Sequence, residues 1–416
     1  MHRWRTADDE RSWTKTATTE GNQVSTGSMR RGMAYVLVAA LASGLLAVAV
    51  PGQSSSSSAP RIADSSAQSV AGTRQPSSTI DVAAQKPTKL QRIARSLVAA
   101  GAPGAIVYVR TPNGVRSATA GFARLQPRVP MRAVVHYRIA SVTKTFVATV
   151  VLQLAGQGKV SLDDPVERWL PGLVPNGAAI TVRMLLNHTS GLYDIADDPA
   201  LLAEFAQNPT RQWTPREVLR FALSQPPLSA PGSSSAYSNT GYILLGLVIE
   251  AVTGEPLDQV LGERLVQPLR LRATSFPSGT GLPEPAAHGY ELRDGRFIEL
   301  IYNPSIAWGT GHIVSNVADL ATFFAALLKG RLLPAALLKQ MKAGPAPKTG
   351  WIAGLGLLTT RTPCGTAYGH GGDIDGWHDE VLATANGRRV AVVMVNYAPA
   401  RLHGRFAAAP AALCSQ

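Results

Sequence analysis

Strand-forming patterns lie at the two ends of this chain, and helix-forming patterns lie between them. Ala105-Ile-Val-Tyr-Val-Arg110 and residues 115–122, hinged on Pro112-Asn-Gly114, read as one hairpin. Residues 366–371, 378–384 and 389–396 read as three more strands, the last two joined across Asn386-Gly387. The middle has helical spacing instead. After Ser141, the residues Phe146, Val147, Val150, Val151 and Leu154 fall on one stripe that Gly156 and Gly158 close. Thr214-Pro215 opens a helix with a cap and an N1 proline. Residues 242–252 and 316–328 give two more, stopped by Gly254 and Gly330. Amphipathic stretches at 88–100 and 400–413 flank the strands. This order predicts an α+β fold: an antiparallel sheet built from both chain ends, flanked by helices, with an all-helical region inserted.

The folded part begins near Lys86. Upstream, Arg30 and Arg31 precede an uncharged apolar run, 33–50, with small residues at Ala47 and Ala49. Basic flank, short apolar core and an Ala-x-Ala site form the pattern of a secretory signal. The alternative is an uncleaved anchor, although about 18 residues is short against the roughly 20 that span a bilayer. Residues 1–28 lie ahead of a second methionine, Met29, and fit an overextended start. The expected organisation is a tail and signal over 1–52, a disordered Ser/Ala-rich tether over 53–85 and one folded domain over 86–416. Within the domain, the α/β part covers 86–140 and 345–416, and the helical region about 141–344. The expected location is secreted or associated with the cell envelope. Two cysteines, Cys364 and Cys414, fall in the exported part, and an even count in an oxidising compartment favours a bridge.

Lys and Arg number 40 against 27 Asp and Glu, a net charge of +13. The longest basic runs are only Arg30-Arg31 and Arg388-Arg389, with no polybasic cluster, so nucleic acid is not the expected partner. General attraction to an anionic surface, such as a cell-wall polymer, is what the charge supports. An apolar content of 45% excludes a wholly disordered chain.

The chemistry centres on Ser141-Val-Thr-Lys144 at the start of an apolar helix. A spacing of three puts the hydroxyl and the amine on one helical face. A serine hydroxyl needs a neighbouring base, and a lysine becomes one when desolvation depresses its pKa. The Ser141 backbone N–H also sits where a helix start would meet a developing oxyanion. A second Ser-x-x-Lys, Ser12-Trp-Thr-Lys15, stands in a polar tail with no helix and shows what a chance match looks like. Tyr237-Ser-Asn239 follows a Gly/Ser-rich loop and precedes a helix. A phenol beside an ammonium can relay a proton, and Asn239 can donate to a substrate carbonyl. For a third element, Lys348-Thr-Gly350 competes with His370-Gly-Gly372. The first is set among glycines and prolines unsuited to a central strand. The second ends a strand before the closing hairpin, where a substrate can pair with an edge.

Ser141-Val-Thr-Lys144, Tyr237-Ser-Asn239 and His370-Gly-Gly372, in that order, resemble the serine D-Ala-D-Ala carboxypeptidase and class C β-lactamase family, penicillin-binding serine hydrolases. The resemblance extends to Gly158-Lys-Val-Ser-Leu-Asp-Asp-Pro-Val, to Leu185-Leu-Asn-His-Thr-Ser-Gly-Leu-Tyr193 and to Pro268-Leu-Arg-Leu. It runs from about 89 to 414 and is nearest to secreted actinomycete D-alanyl-D-alanine carboxypeptidases. It implies a β-lactamase/transpeptidase-like fold and an acyl-enzyme on Ser141, with Lys144 and Tyr237 moving the proton. It also implies an oxyanion held by the N–H groups of Ser141 and Asp373, and a pocket-wall role for Trp308. The expected substrates are D-Ala peptides of the cell wall, with esters, β-lactams or D-aminopeptidase substrates as alternatives. A penicillin-binding module without turnover is the non-enzymatic alternative. No cofactor or metal is expected, because Asp373-Ile-Asp375-Gly376 leaves most ligand positions of a calcium loop unfilled. The chain is expected to be a monomer. One position departs from the family pattern. Carboxypeptidases of this type carry Thr after the motif histidine, where its hydroxyl holds the substrate carboxylate. Here Gly371 stands there, with Asp373 and Asp375 following, and only an arginine such as Arg361 to compensate.

Overall fold

The computed structural model describes residues 86–344, 352–398 and 408–415. The segments read as signal and tether, the Ser12-Lys15 match and the Lys348-Thr349-Gly350 box lie outside these residues.

Thr88 opens helix α1 (Lys89–Ala99) with a capping box. Its hydroxyl accepts the Gln91 N–H while the Gln91 side chain accepts its own N–H. The buried stripe Leu90, Ala94 and Leu97 lies on strands β1 (Gly104–Thr111) and β2 (Gly114–Arg124). Short strands β3 (Val129–Pro130) and β4 (Tyr137–Arg138) lead to a 3-10 turn at Ala140–Val142 and then to α2 (Thr143–Gly156). The helical stretch continues through α3 (Val166–Trp169), α4 (Val182–Leu186), α5 (Pro199–Gln207) and α6 (Pro215–Leu223). It ends with α7 (Asn239–Thr253), α8 (Leu257–Leu261) and α9 (Gln267–Leu269). Helix α6 starts at Thr214 with the cap read from the sequence, completed by Glu217. Strands β5 (Tyr290–Arg293), β6 (Arg296–Glu299) and β7 (Val314–Ser315) precede α10 (Val317–Leu328) and α11 (Ala335–Lys342). The chain closes with β8 (Ile352–Ala353), β9 (Leu358–Thr362), β10 (Gly365–Ile374), β11 (Trp377–Thr384), β12 (Val390–Val395) and α12 (Ala408–Leu413).

The expected sheet is present. Eight strands run in the order β3-β2-β1-β12-β11-β10-β9-β8, and β1 pairs antiparallel with β12 from Ala105↔Val395 to Arg110↔Val390. The two chain ends therefore meet at the centre of the sheet. Strand β12 is buried at every position because both faces are covered, which is why Val-Ala-Val-Val-Met-Val does not alternate. Helices α1 and α12 pack on one face, with Leu382, Ala391 and Val393 between them. The other face meets the large core that includes Phe146, Leu244 and Phe323. The disulfide Cys364–Cys414 ties the β9–β10 turn to the end of α12. Among the described residues, no single helix is long and apolar enough to cross a membrane.

The region 141–344 is less uniform than expected. It contains the hairpin β5–β6, turned on Asp294 and Gly295, which take φ of 48° and 75°. Asp-Gly with both residues left-handed is the turn that matches strand twist, so this hairpin was readable from its sequence. Strand β7 pairs with β4, and α10 packs on β1, β11 and β12. Helix α10 thus belongs to the sheet layer.

Candidate active site

Ala140 takes φ 45° just before Ser141, a left-handed conformation that costs an alanine about 1–2 kcal/mol. Two strands hold this turn in place. The Ile139 N–H donates to Ile313 O at 3.0 Å, and β4 pairs with β7. One turn into the helix, the fully buried Lys144 points its Nζ at Ser141 Oγ at 3.0 Å. The same Nζ donates to Asn239 Oδ1 at 2.8 Å and to the Thr310 carbonyl at 3.2 Å, and lies 5.0 Å from the centre of the Tyr237 ring. Serine, amine and phenol converge as their motifs implied. Burial brings the Lys144 ammonium down from 10.5 to about 7, with Asp194 pulling the other way.

Tyr237 and Asn239 are set by neighbours that motif reading missed. His188 clamps the Tyr237 loop from three sides. Its carbonyl accepts the Ala236 N–H at 2.9 Å, its Nδ1 accepts the Ser238 N–H at 3.1 Å, and its ring stacks on Tyr237 at 4.5 Å. Burial and then Lys144 hold His188 neutral, at about 3. Ser238 caps α7 by accepting the Gly241 N–H, which places Asn239 in the first turn of that helix. Asp194 accepts from both the backbone N–H and the Nδ2 of Asn239, at 2.9 and 3.1 Å. Asn239 was expected to donate to a substrate. Here its oxygen accepts from Lys144 and one amide hydrogen goes to Asp194, so its first role is to hold the amine. His188 lies within the family-like stretch 185–193, and Asp194 follows it directly. That stretch was the available signal. The Thr310 carbonyl, like any backbone group, left none.

Strand β10 runs past the serine turn. Its pairing with β9 ends at Gly369↔Leu358, so residues 370–374 pair with β11 alone and their other edge is free of β9. His370 therefore lies within the strand, rather than ending it as expected. Its Nδ1 meets Gly371 O at 2.6 Å, and its buried Nε2 has no partner. Burial and then Lys144 lower His370 to about 4. With the proton on Nδ1, the orphaned Nε2 is an unused acceptor beside the site. Gly372 is required by packing. A Cβ there would stand 1.9 Å from Asp379 Oδ1 and 2.5 Å from Ile139 O. Gly371 is not, since a Cβ would meet only Asp379 O, at 3.8 Å.

The remaining expected residues fall into place around this core. Asp373 Oδ1 accepts a hydrogen bond from His378 Nδ1 at 2.6 Å. Asp375 is exposed, and its carbonyl accepts from the Tyr302 hydroxyl at 3.0 Å. Arg361 is exposed on β9 opposite Thr366, four positions along β10 from His370. The Trp308 ring packs against Gly246 of α7, where an added Cβ would stand 2.7 Å from it. This is the packing expected of a core-flanking aromatic. In that segment it is Thr310, not Trp308, that touches Lys144. Among the described residues, no cluster of His, Cys, Asp or Glu has the arrangement of a metal site.

Comparison with known proteins gives a consistent result. The Beta-lactamase family model matches residues 90–412. A D-stereospecific amidohydrolase from Streptomyces sp. superposes with a TM-score of 0.70 at 38% identity, covering 74% of this chain and 94% of that one. The D-amino acid amidase of Ochrobactrum anthropi SV3 gives 0.70 at 30% identity, covering 78% and 96%. The esterase EstB of Burkholderia gladioli is 36% identical over 42% of this chain and 48% of its own length. The putative penicillin-binding protein PbpX of Bacillus subtilis is 27% identical over 58% and 59%. The chain thus spans about half the length of these two relatives. With a family model spanning nearly all of the described domain, this chain belongs to the Beta-lactamase family and is a serine hydrolase.

Proposed function

We propose that the chain is an acyl-enzyme amidohydrolase that acts on D-configured aminoacyl amides and short peptides, with esters as secondary substrates. The observation that carries the reading is the 3.0 Å contact between Ser141 Oγ and a buried Lys144 amine that is half neutral near pH 7. In this mechanism Lys144 takes the Ser141 proton as Oγ bonds to the substrate carbonyl carbon. The N–H groups of Ser141 and Asp373 hold the resulting oxyanion, and such a donor lowers the barrier by ~3–4 kcal/mol. Tyr237, beside the ammonium, passes the proton to the leaving nitrogen as the C–N bond breaks. Water then attacks the ester on Ser141 and regenerates the hydroxyl.

The substrate class rests on Gly371 and on charge. His188 and His370 are neutral, and Gly371 presents no hydroxyl where a carboxypeptidase carries one. A free substrate carboxylate then finds few donors, and a neutral amide loses nothing. Two relatives that superpose over more than nine-tenths of their length at 30% identity or more are named for D-amino acid amides and D-stereospecific hydrolysis. The D-Ala-D-Ala carboxypeptidase reading is favoured instead by the order of motifs, and it predicts the opposite preference. We further propose that the chain works outside the cytoplasmic membrane as a monomer, its +13 charge drawing it to anionic wall polymer. The apolar run at 33–50 and the Cys364–Cys414 bridge support that setting.

Fluorescent penicillin and three substrates test the proposal. Covalent label on the wild type and none on Ser141→Ala is expected, with label retained in Ser12→Ala. A D-alanyl amide and a D-Ala-D-Ala peptide amide are expected to be hydrolysed with higher kcat/KM than the free-acid peptide. Preference for the free acid would return the assignment to a carboxypeptidase. Equal label on Ser141→Ala would end the acyl-enzyme reading.

A further inference from the structure

We propose that His312, with Asp258, is a positioning residue for the base. Together they lock the Gly309–Thr310 turn whose carbonyl holds the Lys144 amine over Ser141. The inference deepens the acyl-enzyme reading and rests on it.

His312 is buried at 4% exposure, between β7 and the turn that precedes it. Its Nδ1 accepts the Gly309 N–H at 3.1 Å, and its Nε2 meets Asp258 Oδ1 of α8 at 2.8 Å. An amide N–H can only donate, so Nδ1 must be the bare nitrogen and Nε2 must carry the proton to the carboxylate. The tautomer is fixed at both ends. Gly309 has φ 72°, and the turn doubles back, with the N–H groups of Thr310 and Gly311 both bonded to Ala307 O. The Thr310 hydroxyl bonds to the same oxygen, leaving the Thr310 carbonyl to accept Lys144 Nζ at 3.2 Å. One residue past His312, Ile313 O accepts the Ile139 N–H ahead of Ser141. A single imidazole thus stands between the lysine's acceptor and the backbone of the serine turn.

Without His312 the Gly309 N–H is a buried donor with nothing to bond, and the turn relaxes. The groups facing Lys144 are Ser141, Asn239, Thr310, Tyr237 and Tyr242, with Asp194, His188 and His370 as titrating neighbours. Those facing His312 are Asp258 and the Phe276 ring, with Glu250 of α7 beside Asp258. A carbonyl dipole aimed at Nζ favours the ammonium. Its loss makes the lysine easier to deprotonate while letting it wander from Oγ, so rate and pH profile move together.

The test uses the full chain and the burst of nitrophenolate from p-nitrophenyl acetate, followed from pH 5 to 9. His312→Ala is expected to lower the burst rate constant about tenfold, with the half-saturating ester concentration unchanged. Its acid limb is expected to move toward lower pH by about half a unit. His312→Asn, whose amide oxygen can take the place of Nδ1, is expected to restore rate and limb to within about twofold. A folded His312→Ala with the wild-type rate and limb, or an Asn variant no better than Ala, overturns the proposal. Should His312→Ala fail to fold, Asp258→Ala decides at the surface end of the pair. A displaced limb supports the relay, and an unchanged limb overturns it. No burst in the wild type, or an equal burst in Ser141→Ala, would instead remove the acyl-enzyme reading beneath it.

Discussion

Lys144 and Asn239 stand 95 positions apart in the chain and meet at 2.8 Å, with the amide end facing each partner dictated by chemistry. Asp194 can accept only through its carboxylate oxygens, so Asn239 turns its nitrogen there and its oxygen toward the lysine. Asn239→Asp puts a second carboxylate against Lys144 and favours the ammonium. The acid limb of kcat/KM is expected to rise by about one unit. Activity at pH 7 falls roughly fivefold and recovers near pH 9. A limb that stays in place would show that Lys144 is not the titrating base.

For the wild type, kcat/KM is expected to climb through about pH 7 and level off above it, following the neutral fraction of Lys144. Burial keeps His188 near 3 and His370 near 4, so neither contributes a limb between pH 5 and 8. A pH–rate profile with Ser141-dependent turnover as the signal checks this.

The depressed lysine costs stability. Its native pKa of about 7 lies below the 10.5 of an exposed lysine, so between those values the unfolded chain binds more protons and stability rises with pH. Below pH 7 the full penalty, on the order of a few kcal/mol, is present. Lys144→Met is expected to abolish acylation and to gain more stability over the wild type at pH 6 than at pH 9. Denaturant midpoints at the two pH values measure the difference.

Two adjacent glycines are expected to behave oppositely. The Cβ of Gly371→Thr meets nothing closer than 3.8 Å, and the variant is expected to fold within about 1 kcal/mol of wild type and to shift preference toward free-carboxylate peptides by about tenfold. Gly372→Ala drives a methyl onto Asp379 and the Ile139 carbonyl and is expected to lose several kcal/mol. Substrate competition and thermal unfolding, run on both variants, separate the cases.

Replacing both Cys364 and Cys414 with serine opens a loop of 50 residues. The chain-entropy account gives a loss of roughly 4 kcal/mol. Because the bridge is remote from Ser141, penicillin labelling at 25 °C is expected to persist. Denaturant titration of the oxidised and serine forms tests the first statement, and gel fluorescence the second.

Sequence pattern carried the strands and caps well, because β1 and β12 alternate or saturate with apolar residues for a reason visible in one dimension. Thr214 and Glu217 announce their capping box by spacing alone. The convergence of Ser141, Lys144 and Tyr237 was legible as motif order. What stayed hidden is tertiary. Asp194 matters only because the fold sets it under Asn239, and Thr310 contributes a carbonyl that every residue has. The packing of the Trp308 ring on Gly246 is likewise a contact between distant segments that no local pattern announces.

The pairing of β1 with β12 has a consequence for how the chain comes into being. A ribosome that has delivered the first 330 residues has already made the serine, the lysine and the tyrosine. The strand opposite them, and the partner that seats β1, are still untranslated. Contacts of such long sequence separation form late and slowly. Until β10 and β12 have been added and paired, the polypeptide therefore carries an unarmed hydroxyl, and hydrolytic competence waits on these late strands.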